Sequence, residues 1–165
     1  MLTRIDGDAF SNVSSLAIIL LSKNKITSIQ RSTFKHTKKI QKVILNDNLI
    51  QHIEDGSFST LHNVVLVNLK SNKLERVEEH TFDGLPLLHT LQLNRNDIVD
   101  IHKNAFSSLT SLRRLDISFN RLTSVSSSML DGTMINHLYI YGNSIPCSCE
   151  YLMFLRSINT GKKHC

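Results

Sequence analysis

An asparagine recurs along this chain at almost constant spacing, and this repeat constrains the fold more than any other feature. Successive members are separated by 24, 24, 24, 24 and 23 residues. They are Asn24, Asn48, Asn72, Asn96, Asn120 and Asn143. Apolar residues return at the same offsets from the first five asparagines, namely −8, −5, −3, +2, +5 and +10. Repetition at this period predicts a solenoid in which each repeat is one structural unit.

The apolar frame predicts one short strand in each repeat. The residues at −5 and −3 point inward, and their neighbours point outward. The asparagine follows where the chain turns off the strand. Its amide both donates and accepts hydrogen bonds, so a stacked column can satisfy backbone groups of adjacent repeats that would otherwise be buried unpaired. A second buried column is predicted at +10, formed by Phe10, Phe34, Phe58, Phe82 and Phe106, with Leu130 in the last full repeat.

The pattern resembles the typical 24-residue leucine-rich repeat of extracellular proteins, and it covers residues 2–146. Toll-like receptors and Slit proteins carry repeats of this subclass. The resemblance implies an α/β repeat solenoid, a curved arc with a concave face of parallel strands and an irregular or short-helical convex side. Proteins of this kind use the arc to bind proteins, glycans or lipids. Residues 1–146 would hold about six repeats, the first of them incomplete.

Residues 143–155 resemble the C-terminal cysteine-rich cap of the same extracellular family, in which C-x-C precedes an amphipathic segment. Ser144 stands where the family usually has proline, and Pro146 follows two residues later. The resemblance implies a partial cap over residues 147–165. In it, Cys147 would pair with Cys165, and the partner of Cys149 would be missing.

Both ends of the chain suggest truncation. Leu2, Ile5 and Phe10 fit offsets +2, +5 and +10 of a repeat whose asparagine would precede Met1. We therefore expect Met1 to be an internal or artificial start, and an isolated chain to self-associate through its uncovered first repeat. The odd number of cysteines agrees with truncation at the other end. No apolar window of about 18 residues is present, so no membrane contact by this segment is expected, although a parent chain could carry a transmembrane helix.

The outward positions of the strands predict a ligand-binding surface. Its N-terminal end is apolar, through Ile18, Leu20, Ile44 and Leu66. Its C-terminal end is rich in arginine, tyrosine and amide groups, which dominate binding hot spots. The candidate residues there are Gln92, Arg95, Arg114, Asp116, Tyr139 and Tyr141. The predicted partner is a protein ligand or co-receptor.

Other partners and chemistries have less support in the sequence than a protein ligand on this surface. The net charge of +5 favours anionic partners without naming one. An anionic glycan is a second candidate, at the lysine-rich residues 35–42, although a solvated convex edge is the favoured explanation of that run. Nucleic-acid recognition has no supporting motif. Zinc binding by the cysteines is disfavoured, because C-x-C is tighter than zinc-finger spacing and disulfides suit a repeat cap.

No catalytic motif is present, so neither an enzyme activity nor a cofactor or metal is expected. A glycosylation sequon begins at Asn12 and fits an extracellular or cell-surface protein. The predicted function is a protein-binding module of a cell-surface receptor or a secreted recognition protein. The alternative is a structural or adhesive component of the extracellular matrix. A transmembrane helix after the cap would favour the receptor.

Overall fold

The computed structural model describes residues 1–11, 13 and 15–148, which form a parallel-strand solenoid. Its elements are β1 Ile18–Leu20, β2 Ser28–Ile29, β3 Lys42–Ile44, β4 His52–Ile53, β5 Leu66–Asn68, β6 Arg76–Val77, β7 Thr90–Gln92, β8 Asp100–Ile101, β9 Arg114–Asp116, the 3₁₀ helix Ser127–Leu130, and β10 His137–Tyr139. The predicted repeat solenoid is therefore confirmed. Among the described residues, no helix is long and apolar enough to span a membrane.

One six-stranded parallel sheet lines the concave face, in the order β1-β3-β5-β7-β9-β10. The register follows the repeat interval of the sequence. Ile18 pairs with Lys42, which lies 24 residues further along the chain. Arg114 pairs with His137, which lies 23 residues further along, as the shorter last interval requires. Each outward position on one strand therefore lies beside its equivalent on the next.

The rest of each repeat consists of turns and very short strands. β2 pairs with β4, and β6 pairs with β8, as two separate two-stranded sheets. The single 3₁₀ helix is the only helical element in the described ranges. The predicted irregular convex side is thus observed, and its helical content is small.

The asparagines form a hydrogen-bonded column through the core. The side-chain nitrogen Nδ2 of Asn72 donates to the carbonyl oxygens of Leu69 in its own repeat, at 2.9 Å, and of Leu45 in the preceding repeat, at 3.0 Å. Its Oδ1 accepts the N–H of Ile50 in the preceding repeat at 3.0 Å. A longer bond joins Nδ2 to the carbonyl oxygen of Lys70 at 3.4 Å. One amide therefore satisfies backbone groups of its own and the preceding repeat, as predicted. Equivalent bonds are made by Asn48, Asn96 and Asn120.

The phenylalanines form the second predicted column. Phe58 stacks on Phe34 and Phe82, with ring centroids 5.8 Å apart on both sides. In the last full repeat, Leu130 is partly buried and packs against the core. Met129 before it is only 1% exposed, like the equivalent Thr33, Ser57, Thr81 and Ala105 of the other repeats.

A third column, absent from the apolar pattern, lies immediately before the asparagines. Its backbone is left-handed, with φ between 53° and 71°. We call it the left-handed column; its members are Lys23, Asp47, Ser71, Arg95, Phe119 and Gly142. Only glycine adopts this conformation without steric cost. The first five members donate their N–H groups to the next repeat, as Arg95 does to the carbonyl oxygen of Ser118 at 3.0 Å, which extends the ladder beyond each strand.

Candidate binding surface on the concave face

Parallel strands in a common register arrange the outward side chains in columns across the concave face. The first column is Ile18, Lys42, Leu66, Thr90, Arg114 and His137. The second is Leu20, Ile44, Asn68, Gln92, Asp116 and Tyr139. The third, by the repeat interval, is Ser22, Asn46, Lys70, Asn94, Ser118 and Tyr141. The left-handed column is the fourth, so the surface is a grid of six repeats by four positions.

The N-terminal part of this grid is apolar. Leu20 is 71% exposed and Ile18 is 42% exposed, although both lie on a regular strand. Ile44 and Leu66 beside them are half-buried. Four aliphatic side chains are therefore adjacent on one side of the concave face, as the sequence predicted.

At the C-terminal part, Arg114 and Tyr139 form one arginine–aromatic pair. The guanidinium carbon of Arg114 lies 4.7 Å from the centroid of the Tyr139 ring. Arg114 is on β9 and Tyr139 is on β10, so the arginine leans across the sheet towards the last repeat. A cation over an aromatic face is attracted by the ring quadrupole, and the stack restricts the long side chain. A ring stacked on one face of a planar guanidinium leaves the N–H groups at its edge able to bond a partner.

A second arginine–aromatic cluster lies beside the first and includes a residue that the sequence analysis did not select. The guanidinium carbon of Arg95 lies 4.7 Å from the centroid of Phe119. Phe119 in turn contacts Tyr141 edge to face, with centroids 5.2 Å apart and an interplanar angle of 82°. Gly142 provides the space, because a Cβ there would lie 2.6 Å from Cδ1 of Phe119. We call Arg95, Arg114, Phe119, Tyr139 and Tyr141 the arginine–aromatic surface.

Phe119 is unusual for its position. It is 43% exposed and has a left-handed backbone, with φ 53°. A bulky side chain in this conformation costs about 1–2 kcal/mol, and exposure of its ring gains nothing for folding. The other members of the left-handed column are Lys, Asp, Ser, Arg and Gly, so a large aromatic residue at this offset was a signal available in the sequence. Strain retained at an exposed aromatic residue is typical of a functional position.

Gln92 and Asp116 complete a row with Tyr139, since the register pairs Gln92 with Asp116 and Asp116 with Tyr139. Asp116 forms hydrogen bonds within its own repeat. Its Oδ1 accepts bonds from the backbone N–H of Ser118, at 3.1 Å, and from the Ser118 hydroxyl, at 2.6 Å. The equivalent Asn68 bonds the backbone of its own repeat in the same way. Asp116 therefore supports the turn after β9.

The concave grid carries more positive than negative charge. Five of its residues are Lys or Arg and two are Asp, an excess of three positive charges. Neither Arg95 nor Arg114 forms an ion pair with any residue that the structure describes. By contrast, Arg76 pairs with Asp100 at 3.4 Å, and Arg121 pairs with Asp97 at 2.7 Å. The two arginines on the concave face thus hold charge that no carboxylate among the described residues neutralises.

The lysine-rich residues 35–42 do not form a single patch. The Lys35 ammonium lies 2.9 Å from the Asp8 carboxylate, and this hydrogen bond holds the pKa of Asp8 below its ordinary value. Lys42 lies in β3, in the first column of the concave face. Lys38 and Lys39 remain exposed with no ion pair in the described ranges. This division weakens the case for a glycan site built from the whole run.

An open groove of about 500 Å³ lies beside β4 and β6, where the short lateral strands are not paired. Its charged groups are partly matched within the protein, since Arg31 donates to the carbonyl oxygen of Asp55 at 3.0 Å. Among the described residues, no group of three or more His, Cys, Asp or Glu could hold a metal ion.

The remaining candidate residues fall mostly beyond the described ranges. Cys147 is disulfide-bonded. Cys149, Cys165 and the glycosylation candidate Asn12 lie outside the described residues. The pairing of Cys147 with Cys165, the glycosylation of Asn12 and the division of the chain at residue 146 therefore stay predictions.

A family model described as leucine rich repeat matches residues 1–49, 38–98 and 86–145, which together span most of the chain. The chain belongs to the leucine-rich repeat family. This family is typically a non-enzymatic scaffold for protein interactions. No curated protein matches the sequence significantly.

Solved leucine-rich-repeat structures share the fold at low sequence identity. A chain of the Drosophila Toll–Spatzle complex superposes with a TM-score of 0.81 and 24% identity, over 87% of this chain and 21% of that one. A chain of the LRIM1/APL1C complex gives 0.79 and 24%, over 86% and 26%. The TLR13–ssRNA13 complex gives 0.58 and 21%, over 97% and 38%. The chain thus spans between about a fifth and two fifths of the length of these proteins.

Proposed function

We propose that this chain is a protein-binding leucine-rich-repeat module of a cell-surface receptor or a secreted recognition protein. The arginine–aromatic surface is its contact site, and Gln92 extends this site along the second column. The observation that carries the proposal is the exposed cluster of two arginines and three aromatic rings on a rigid sheet. Arginine and tyrosine are enriched in hot spots because they combine large contact area with directional hydrogen bonds. Rings held by stacking lose little conformational entropy on binding.

Two further observations support the proposed module, one for an extracellular setting and one for a protein partner. The disulfide of Cys147 fits an oxidising compartment. Two of the structurally similar proteins were solved as complexes with proteins, Toll with Spatzle and LRIM1 with APL1C. The third was solved with single-stranded RNA, so the test below includes RNA as a competitor.

The experiment first captures a partner and then measures its affinity. A photo-crosslinking amino acid is placed at position 141, and at position 76 on the lateral strand β6 as a control. A protein crosslinked only from position 141 is purified, and its binding is titrated against alanine variants of Gln92, Arg114, Tyr139 and Tyr141. We expect losses of about 1 kcal/mol or more at two of the four positions.

The matched control is Arg76→Ala, which removes an arginine that pairs with Asp100 away from the concave face. We expect its affinity for the partner to stay unchanged. Unchanged affinity in all four test variants, with native circular dichroism, would place the contact on another surface. Displacement of the partner by single-stranded RNA would instead favour nucleic-acid recognition.

A further inference from the structure

The two arginines of the arginine–aromatic surface are arranged to receive anionic groups. Each guanidinium carbon lies 4.7 Å from the centroid of an aromatic ring, Arg95 over Phe119 and Arg114 over Tyr139. The ring covers one face of the planar group and leaves its N–H edge free. That edge matches the two oxygens of a carboxylate, so a stacked arginine is prepared for a bidentate bond.

No carboxylate of the described chain takes these positions. Arg95 and Arg114 form no ion pair there, whereas Arg31, Arg76 and Arg121 each do. Asp116 lies two residues from Arg114 on the same strand, and its Oδ1 is already bonded to Ser118. An acidic partner would therefore meet two arginines that need not first break an internal ion pair.

The spacing of the two arginine heads can be estimated from the sheet. Arg95 reaches the left-handed column of the fifth repeat, at Phe119, and Arg114 reaches the second column of the sixth repeat, at Tyr139. These points differ by three positions along the chain and by one strand across the sheet. With a rise of about 3.3 Å per residue and strands about 4.8 Å apart, the heads are roughly 11 Å apart. Two residues between two acidic residues span about 9 Å in an extended polyproline II segment, and its three residues per turn place both acidic side chains on the same face.

An apolar contact lies beside the two charged ones. Phe119 is 43% exposed and Tyr141 is 48% exposed, and the two rings meet edge to face. They provide a surface for an apolar or aromatic side chain of the partner, next to the Arg95 head. Charge and apolar area are thus combined on one surface.

We propose that the segment bound by the arginine–aromatic surface is an extended acidic segment of a protein. Two of its carboxylates, separated by two residues, bond Arg95 and Arg114, and an apolar or aromatic side chain between them packs on Phe119 and Tyr141. This inference rests on the proposed function and specifies the chemistry of the partner. The excess of positive charge on the concave face adds attraction at longer range.

The test uses fluorescein-labelled peptides and the full chain, with binding measured by fluorescence anisotropy. One series carries two glutamates separated by one to five residues around a tyrosine, and a matched series replaces both glutamates by glutamine. We expect the glutamate peptides to bind, with the tightest binding at a separation of two residues. The glutamine peptides should bind at least roughly tenfold more weakly.

Variants assign the effect to the two arginines. Arg95→Gln and Arg114→Gln keep a flat amide and remove the charge, and each should weaken the glutamate peptides roughly tenfold. Arg114→Lys keeps the charge without the bidentate fork, and should lie between the wild type and Arg114→Gln. Arg76→Gln is the control and should leave binding unchanged.

Several results would overturn the acidic segment. The first is equal binding of the glutamate and glutamine peptides, and the second is no binding of any peptide at about 1 mM. The third is tighter binding of a heparin oligosaccharide or of single-stranded RNA, with the same dependence on Arg95 and Arg114. The proposed function is tested separately by the captured partner protein. If its affinity falls in the alanine variants while the two peptide series do not differ, the protein-binding site stands and the acidic chemistry is wrong.

Discussion

The asparagine column allows the stability of the repeat stack to be tested at one side chain. In Asn72→Ala, three backbone carbonyl groups and one backbone N–H lose their bonds. Those of Leu45, Leu69 and Ile50 belong to buried residues, whereas the longer bond to the carbonyl oxygen of Lys70, at 3.4 Å, is part-buried. Water has little access to these groups, because Asn72 itself is only 3% exposed. They stay unpaired in the folded state unless the repeats separate.

The expected cost follows from counting these groups. A buried polar group left without its partner costs about 1–3 kcal/mol. Three buried groups lose a partner here, and the costs of neighbouring groups add only in part. We therefore expect Asn72→Ala to reduce the free energy of unfolding by about 3–5 kcal/mol. Asn72→Asp keeps the shape and can still accept from Ile50, but it loses the donated bonds and adds a buried charge. Its loss should be similar or larger.

Asn24→Ala is the matched control at the end of the column. Asn24 accepts from the N–H of Leu2 at 2.9 Å and donates to the carbonyl oxygen of Leu21 at 3.1 Å, but it is half-buried. Water can replace these bonds, so we expect a loss of about 1 kcal/mol. Urea unfolding followed by far-ultraviolet circular dichroism measures both variants. If Asn72→Ala costs no more than Asn24→Ala, the column does not carry the stability that its bonds suggest.

Three further predictions concern the other columns and one surface ion pair. Gly84→Ala should destabilise the fold by about 3 kcal/mol, because φ is +94° and the new Cβ would lie 2.6 Å from the carbonyl oxygen of Phe58; urea unfolding measures this loss. Phe58→Leu should cost about 2 kcal/mol by the same assay, since it breaks two stacked contacts at 5.8 Å, and Phe10→Leu at the column end should cost less. The hydrogen bond that the protonated His80 ring donates to the Asp83 carboxylate raises the pKa of His80, so this pair stabilises the fold below the ordinary histidine pKa and the contribution disappears as pH rises through the raised pKa. In Asp83→Asn, nuclear magnetic resonance titration should show a lower pKa for His80, and an unchanged value would contradict the role of the ion pair.

Much of the fold could be predicted because the residues that determine it recur in every repeat. The inward positions, the asparagine bonds and most of the phenylalanine stack depend on residue types that return at fixed offsets. Since the strands are parallel and the interval is nearly constant, the same offsets also give the register. Arg114 beside Thr90 and His137 follows from counting alone. The same counting gives the outward columns. Five of the six predicted site residues lie in these columns, namely Gln92, Arg114, Asp116, Tyr139 and Tyr141.

The remainder depends on backbone geometry and local partners, which side-chain patterns do not encode. The left-handed column holds Lys, Asp, Ser, Arg, Phe and Gly, so no shared residue type reveals its conformation. Phe119 was therefore missed, although it joins Arg95 to Tyr141. The 3₁₀ helix Ser127–Leu130 occurs in the last full repeat alone among the described residues, and no repeated residue type announces it. The bonds from Ser118 to Asp116 likewise arise from a turn rather than from a repeat-wide rule.

The scaffold and the candidate site meet at the left-handed column. Asn96 and Asn120 fix the turns that follow β7 and β9, and Arg95 and Phe119 immediately precede them. The ladder bonds of these two residues use backbone N–H groups, at 3.0 Å and 2.9 Å, so they do not depend on the side chain. Side chains at this offset can therefore change without loss of the bonds that hold the repeats together. The asparagine column holds the repeats together, and each repeat can therefore present different contact residues on the concave face. The arginine–aromatic surface is one set of such residues.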